Sequence, residues 1–406
     1  MPPLSFSGLV LVAGVAFLAP LLTELTRARR FPAVVIEIVA GILLGPSVLN
    51  WVRMDIPLQV LSLLGLAFLL FLSGLEVEFE QLRGSLLKVI GVSFLASFLL
   101  ALAFGFGLQA SGLVRSPLLV AIILVATSLG VVVPLLKDSG ESTSRFGQLV
   151  IGAASLAEFG PIILLSLFFS RAAAGLGTQV FLLAIFAALT AVAALAVFRA
   201  ERSARLAGAF RRLQDTTAQI RIRGAFLLLA ALVALAEALG MEIILGAFAA
   251  GVILRFIDQD KLLMHPQFRQ KLEGVGFGVF IPVFFVTSGV QFDLRALVAS
   301  PSALVLVPLF LLALLVIRGA PALLYRWQVG MRRAVVAGLL QATSLTVIIV
   351  AAVQIGLALG LLTKTTGAAL VAAGLLSVLI FPISASTLIR SGPPAPPVAR
   401  SSLASP

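Results

Sequence analysis

Ala126-Thr127-Ser128-Leu129-Gly130-Val131, set inside a long apolar run, returns far along the chain as Ala342-Thr343-Ser344-Leu345-Thr346-Val347, changed only where Thr346 replaces Gly130. Hydroxyl residues in the middle of apolar runs favour interrupted helices, because Thr and Ser satisfy backbone groups that unwinding sets free. The copies fall in the fifth and twelfth of the apolar runs read below. That odd offset predicts that they cross a membrane in opposite directions, the pattern of an inverted repeat. In such architectures paired interrupted helices meet near the bilayer midplane, where opposed helix ends and free carbonyls shape an ion site. If both copies break their helices, they cross near one point, with Thr127, Ser128, Thr343 and Ser344 at it.

Outward from the repeat the chain stays apolar. Of 406 residues, 60% are hydrophobic and only 11% charged, against about 25% charged in soluble domains. The fold class is therefore an all-α polytopic membrane protein. Runs of about 20 apolar residues bounded by charges or turn residues mark membrane helices, and about thirteen are read. They lie near 5–25, 32–52, 56–75, 86–109, 116–136, 146–169, 175–198, 223–239, 241–257, 273–291, 301–325, 333–358 and 363–389. The division of 223–239 from 241–257 is the weakest, since only Leu239-Gly240 intervenes. Residues 1–390 form one transmembrane domain. Within it the alternating cationic and apolar stretch 199–223 reads as an interfacial amphipathic linker helix, and 391–406, rich in Pro and Ser, reads as a disordered tail.

The net charge of +12 does not point to nucleic acid. Lys and Arg are scattered between apolar runs, as the positive-inside rule expects. Placing Arg27/Arg29/Arg30, Arg83/Lys88, Lys137/Arg145, the 199–223 cluster, Lys261/Arg269/Lys271, Arg326/Arg332/Arg333 and Arg390 in the cytoplasm leaves mostly single charges outside. The predicted placement is a cytoplasmic membrane, with the N-terminus outside and the C-terminus inside. The run 5–25 has its cationic cluster after it rather than before, which suits a retained helix and not a cleaved signal. With no cysteine and one histidine, disulfides, thiolate metal sites and histidine clusters are excluded. His265 reads as solvated.

Phe146–Phe169 (FGQLVIGAASLAEFGPIILLSLFF) holds one acid, Glu158, about thirteen residues into the run and so near mid-bilayer at about 1.5 Å per residue. An ionisable group kept in lipid marks, by default, a site for ions or protons with a partner elsewhere. Ser155, one turn earlier, shares its face, and Gly160-Pro161 is expected to kink the helix and loosen its backbone. Carboxylate, hydroxyl and irregular backbone oxygens are hard ligands that suit an alkali cation, so Na⁺ or K⁺ is the metal expected at Glu158. Burial and neighbouring charge tune a carboxyl group's proton affinity in opposite senses. One carboxylate can then hold a proton and a cation in turn, the simplest antiport chemistry. The chosen partner is Arg318, in the middle of 301–325, a permanent counter-charge rather than a proton carrier. Apolar chain continues past it, which disfavours snorkelling to an interface. Glu37, Glu237, Glu242 and the group Glu76, Glu78 and Glu80 read as interfacial or solvated.

Five motifs occur in order: Glu37–Pro46 (EIVAGILLGP), Phe71–Glu76 (FLSGLE), Ala126-Thr127-Ser128, Leu245–Gly251 (LGAFAAG) and Pro282–Gly289 (PVFFVTSG). In this order and spacing the chain, over residues 30–390, resembles the monovalent cation:proton antiporter-2 family, which includes bacterial Na⁺/H⁺ exchangers and Kef-type transporters. The resemblance implies a homodimer. A core, near 86–170 and 301–389, would carry the crossed interrupted helices and slide against the remaining, dimerising helices. It also implies that the Thr127/Ser128 region and the acid of the sixth run line the ion site. The family's Asn-Asp or Gln-Asp pair corresponds to Ala157-Glu158, so the ion-carrying acid is kept and the first polar position is lost. A basic residue in the run after the Phe-Phe motif belongs to the pattern, and Arg318 falls there. In electrogenic relatives the first acid of the pair faces a Lys. Lacking both, this chain resembles the electroneutral type. Kef-type proteins add a cytoplasmic nucleotide-binding domain, so any regulatory domain is expected on a separate subunit.

The sequence thus predicts a secondary transporter exchanging Na⁺ or K⁺ for protons. It predicts no enzyme, cofactor or nucleic-acid partner. A sodium-coupled organic-anion symporter of related fold is disfavoured by the few polar residues near the centre. A channel-like or sensing derivative is the third reading, raised by Ala157.

Overall fold

A computed structural model describes residues 6–25, 33–75, 85–169, 176–202, 219–258, 266–298, 301–344 and 347–390. Among these, all regular structure is helical apart from one isolated antiparallel bridge, Val114 to Leu362. In chain order the helices are α1 Ser7–Leu25, α2 Ala33–Leu44, α3 Ile56–Leu75, α4 Ser85–Ala110, α5 Pro117–Val125, α6 Leu129–Asp138, α7 Arg145–Phe168, α8 Leu176–Arg202, α9 Ile220–Ala238 and α10 Ile243–Asp258. They continue with α11 Pro266–Val275, α12 Ile281–Val290, α13 Leu294–Val298, α14 Pro301–Ala322, α15 Arg326–Val329, α16 Met331–Gln341, α17 Val347–Ala358 and α18 Lys364–Arg390. Eight described helices are long and apolar enough to cross a membrane, and Ala33–Leu44, Ile243–Phe256 and Ile348–Ala358 are shorter apolar helices. The chain is a multi-pass membrane protein.

The runs around the two repeated motifs are each split in two, into α5 and α6 and into α16 and α17. The weakest predicted boundary is real: α9 ends at Ala238 and α10 starts at Ile243, with Gly240 at φ +71 making the turn. Of the predicted linker helix at 199–223, the ends belong to α8 and α9, and 203–218 lies outside the described residues, as do His265 and the tail 391–406.

The helices pack in two groups. One joins α1, α2 and α3 to α9, α10, α11 and α12; the other joins α4, α5, α6 and α7 to α14, α16, α17 and α18. In lipid no hydrophobic force drives helices together, so close contact of small residues must hold them. The motif glycines supply it in the first group. A Cβ on Gly251 would strike the carbonyl of Phe71, and one on Gly74 the carbonyl of Phe248, so α3 and α10 touch backbone to backbone. Gly41 and Gly289 do the same for α2 and α12, against Val286 and Ile38. Those four motifs are packing signatures, and the Thr-Ser motif alone lies at the crossing.

Glu37 departs from its predicted interfacial place. It is 5% exposed, one turn from Gly41 on the same face of α2. The register with α12 set by Gly41 and Gly289 turns that face inward.

Candidate ion site at the crossing of two interrupted helices

Ser116 starts α5, accepting the Leu119 N–H at 3.3 Å, with Pro117 in the first turn where its missing N–H costs nothing. The helix stops at Val125. Ala126 is extended (φ −66, ψ 142), and helical structure resumes only at Leu129. In the second copy, α16 stops at Gln341 and Thr343 and Ser344 lie outside helix. The freed groups satisfy one another across the break. Ser128 N donates to Thr343 O at 2.9 Å, Ser344 Oγ to Ala126 O at 2.7 Å, and Thr127 Oγ1 to Gln341 O at 2.6 Å. The first copy is therefore bonded to the second, and to Gln341 just before it, though not between equivalent positions.

The two interrupted helices run antiparallel. Arg115 N donates to Leu361 O at 3.1 Å beside the Val114–Leu362 bridge, where α5 begins and α17 has ended. At the opposite end Arg333, early in α16, pairs with Glu141, just after α6, at 3.1 Å.

Glu158 sits at this crossing, 7% exposed. Its Oε2 accepts the N–H of Leu129 at 3.1 Å. Leu129 opens α6, so the carboxylate lies at the positive end of a half-helix dipole, where unpaired N–H groups favour anions. One residue earlier the side chain is a methyl, but the backbone serves: Ala157 O accepts Thr127 N–H at 3.3 Å. Pro161 makes this possible. Four residues beyond Ala157, it has no N–H to close the helical bond, which leaves that carbonyl for the crossing. Helix α7 itself runs unbroken through Gly160-Pro161.

The buried hydroxyls divide by commitment. Thr127, Thr343 and Ser344 donate to carbonyls of Gln341, Leu339 and Ala126. Ser155 Oγ, one turn from Glu158, has no hydrogen-bond partner among the described residues, and the hydroxyl of Ser128 forms no hydrogen bond among them. Arg318 is 1% exposed and spreads its guanidinium over three acceptors. These are Thr127 Oγ1 at 3.0 Å from Nε, Ser97 Oγ at 3.2 Å from Nη1, and Gln341 Oε1 at 3.1 Å from Nη2. The structure thus ties Arg318 to the crossing through Thr127, and none of these three bonds reaches Glu158.

Three participants were not read from the sequence. Ser97 and Ser377 look like ordinary small residues of packed helices, yet Ser97 receives Arg318 and Ser377 Oγ accepts Ser344 N–H at 2.9 Å. Gln341 carried a usable signal, an amide immediately before the repeated motif where the first copy has Val125. A cavity of about 200 Å³ opens between the two helix groups, lined by Ser288, Gln291 and Asp293 on one side and Gln354 and Lys364 on the other.

Residues 13–391 match the family described as sodium/hydrogen exchanger, transmembrane. A Bacillus subtilis (strain 168) protein provisionally named as the Na(+)/H(+) antiporter YjbQ is 33% identical over 401 residues, covering 95% of this chain and 63% of its own length. The Na(+)/H(+)-K(+) antiporter GerN of Bacillus cereus is 27% identical over 64% of this chain and 65% of its own. The chain thus spans slightly under two thirds of the length of these relatives. The sodium proton antiporter MjNhaP1 of Methanocaldococcus jannaschii shares the fold, with a TM-score of 0.66 at 15% identity over 94% of this chain and 98% of that one.

Proposed function

The chain belongs to the sodium/hydrogen exchanger family, and from that premise we propose that it exchanges Na⁺ or K⁺ for protons across the membrane by alternating access. The observation that carries this reading is the Glu158 carboxylate held at the N-terminus of α6, at 3.1 Å from Leu129 N, where two interrupted helices cross. The half-helix end stabilises the ionised form, and a bound proton or a bound monovalent cation each neutralises it. The cation's ligands are Glu158 and the uncommitted hydroxyls of Ser128 and Ser155. Thr127, Thr343 and Ser344 act as braces, and Arg318 supplies the site's fixed positive charge.

One carboxylate that trades one univalent charge for another moves no net charge per cycle, so exchange is electroneutral. The group formed by α4–α7, α14 and α16–α18 is the moving core, and the glycine-sealed group around α2, α3, α10 and α12 is the dimerising scaffold. The protein resides in the cytoplasmic membrane as a homodimer, with its N-terminus outside and its C-terminus in the cytoplasm.

Purified protein in liposomes loaded with a pH-sensitive dye, challenged in turn with Li⁺, Na⁺, K⁺ and Rb⁺, tests the reading. Saturable, cation-dependent proton efflux is expected for Na⁺ or K⁺. Absence of proton movement with every cation overturns it.

A further inference from the structure

At the end of the bundle where α8 stops and α9 starts, one cation lacks a counter-charge. Arg221 stands half-buried in the first turn of α9, one helical turn before the buried Ala225. Its Nε and Nη1 are closed off from solvent and find no hydrogen-bond acceptor among the described residues. No ion pair joins it to a described acid. A guanidinium has only donors to offer, and a charge largely taken out of water needs an opposite charge beside it. Nη2 is the nitrogen left to meet one.

The surroundings are cationic. The stretch 199–223 carries seven arginines against two acids, so this end attracts anions as a whole. By helix alternation the ends of α8 and α10 and the starts of α9 and α11 share this face, which adds Arg255, Arg269 and Lys271. Among the described side chains the acid there is Glu273, held by Arg269 at 2.7 Å. Gln219, the residue before α9, gives its Oε1 to Lys271 Nζ at 3.2 Å and does not cap the helix, so the positive pole of α9 faces the same region.

Beneath these charges the surface is apolar. Exposed Arg223 has exposed Phe226 and Leu227 one turn deeper on α9, and exposed Arg199 has exposed Leu195 and Val192 one and two turns deeper on α8. Both helices thus present a cation at the water boundary and hydrocarbon below it, the profile that a headgroup over acyl chains requires. Helix α8 buries little of its apolar length in the protein, which leaves that row open to lipid. A soluble phosphate would use the charges and leave both rows unused.

We propose that an anionic phospholipid binds between the end of α8 and the start of α9, its phosphate on Arg221 and Arg223 and its chains along the two apolar rows. The site is separate from the crossing and stands whether or not the chain exchanges cations.

The test is thermal unfolding of the detergent-purified protein titrated with short-chain phosphatidylglycerol, phosphatidylcholine or inorganic phosphate. Phosphatidylglycerol alone is expected to raise the melting temperature in a saturable way. Arg221→Gln should raise its half-saturating concentration about fivefold, the share of one cation at a lipid surface. Arg145→Gln, which removes a cation on the same face but in the other helix group, should leave it unchanged. Equal stabilisation by phosphatidylcholine or by inorganic phosphate overturns the proposal, as does wild-type affinity in Arg221→Gln. An equal loss in Arg145→Gln also overturns it, since any surface cation would then serve. Should Arg221→Gln fail to fold, Arg223→Gln decides: a half-saturating concentration raised about as much supports the site, and an unchanged one overturns it. No ion gradient is involved, so a failure here is distinct from a failure of the exchange reading.

Discussion

Leu129 and Glu158 are joined by a 3.1 Å hydrogen bond in which a main-chain N–H at the head of a half-helix donates to a membrane-buried carboxylate. The bond sets the acid's charge against the positive end of a helix. An unfinished helix end supplies the electrostatic complement, and its donors remain in place whether the carboxylate holds a proton, a cation or neither.

Substitution Glu158→Gln keeps an oxygen able to accept from Leu129 and removes the titratable, cation-binding charge. Folding should survive and exchange should vanish. Dye-reported proton efflux at background level, with an unchanged size-exclusion profile, is the expected pair of results; wild-type efflux would remove Glu158 from the mechanism.

On the proposed mechanism proton and cation share one carboxylate, so lowering the pH should fill the site with protons and leave fewer ionised carboxylates for the cation. On the acid side of that titration the apparent KM for the cation should rise about tenfold per pH unit while kcat holds. Initial rates over a grid of pH and cation concentration check this. A KM that is independent of pH while kcat falls would show that protons act elsewhere.

Pro161→Ala restores an N–H opposite the Ala157 carbonyl, which then has its own helical donor and competes with Thr127 N–H. Helix α7 should gain local stability, since proline costs a helix interior about 3 kcal/mol relative to alanine. Transport should fall, because the broken segment loses one of its anchors. Thermal unfolding and exchange rate measured together should move in opposite directions. A parallel loss of both would mean that the proline serves packing alone.

In the scaffold, Gly251→Val drives side-chain atoms into the backbone of α3 at Phe71 and Gly74. Overpacking of this kind costs about 1–3 kcal/mol or more, so the melting temperature in detergent should drop sharply. Gly91→Ala on α4, where an added Cβ meets nothing within 4 Å, is the matched control and should melt like the wild type.

Several of these features could be read from the residues and others could not, for reasons of chemistry. Thr127-Ser128 and Thr343-Ser344 betrayed the two breaks because hydroxyls are out of place in apolar runs unless backbone groups need them. Glu158 stood out because a bilayer penalises charge, and Arg318 for the same reason. Ala157 read only as a lost polar side chain, since what it contributes is a carbonyl, and a sequence does not display which carbonyls a proline four residues later sets free. The commitment of Thr127 to Arg318 and Gln341 also lay beyond reading, because a hydroxyl can brace or bind and only its neighbours decide. Glu37 was misplaced because its distance from the end of the run suggested reach to water, whereas the glycine contact of α2 with α12 sets which way that face turns.

The two antiparallel interrupted helices are pinned together at three levels: by Val114 with Leu362, by the crossing, and by Arg333 with Glu141 at 3.1 Å. Such a truss resists shear between its members, so under the proposed alternating access they should travel as one carriage and bring the coordination shell to either side of the bilayer undeformed. An exchanger built this way is no rectifier. Under matched pH and salt, influx and efflux should show equal half-saturation, and only the gradients choose which way the cation goes.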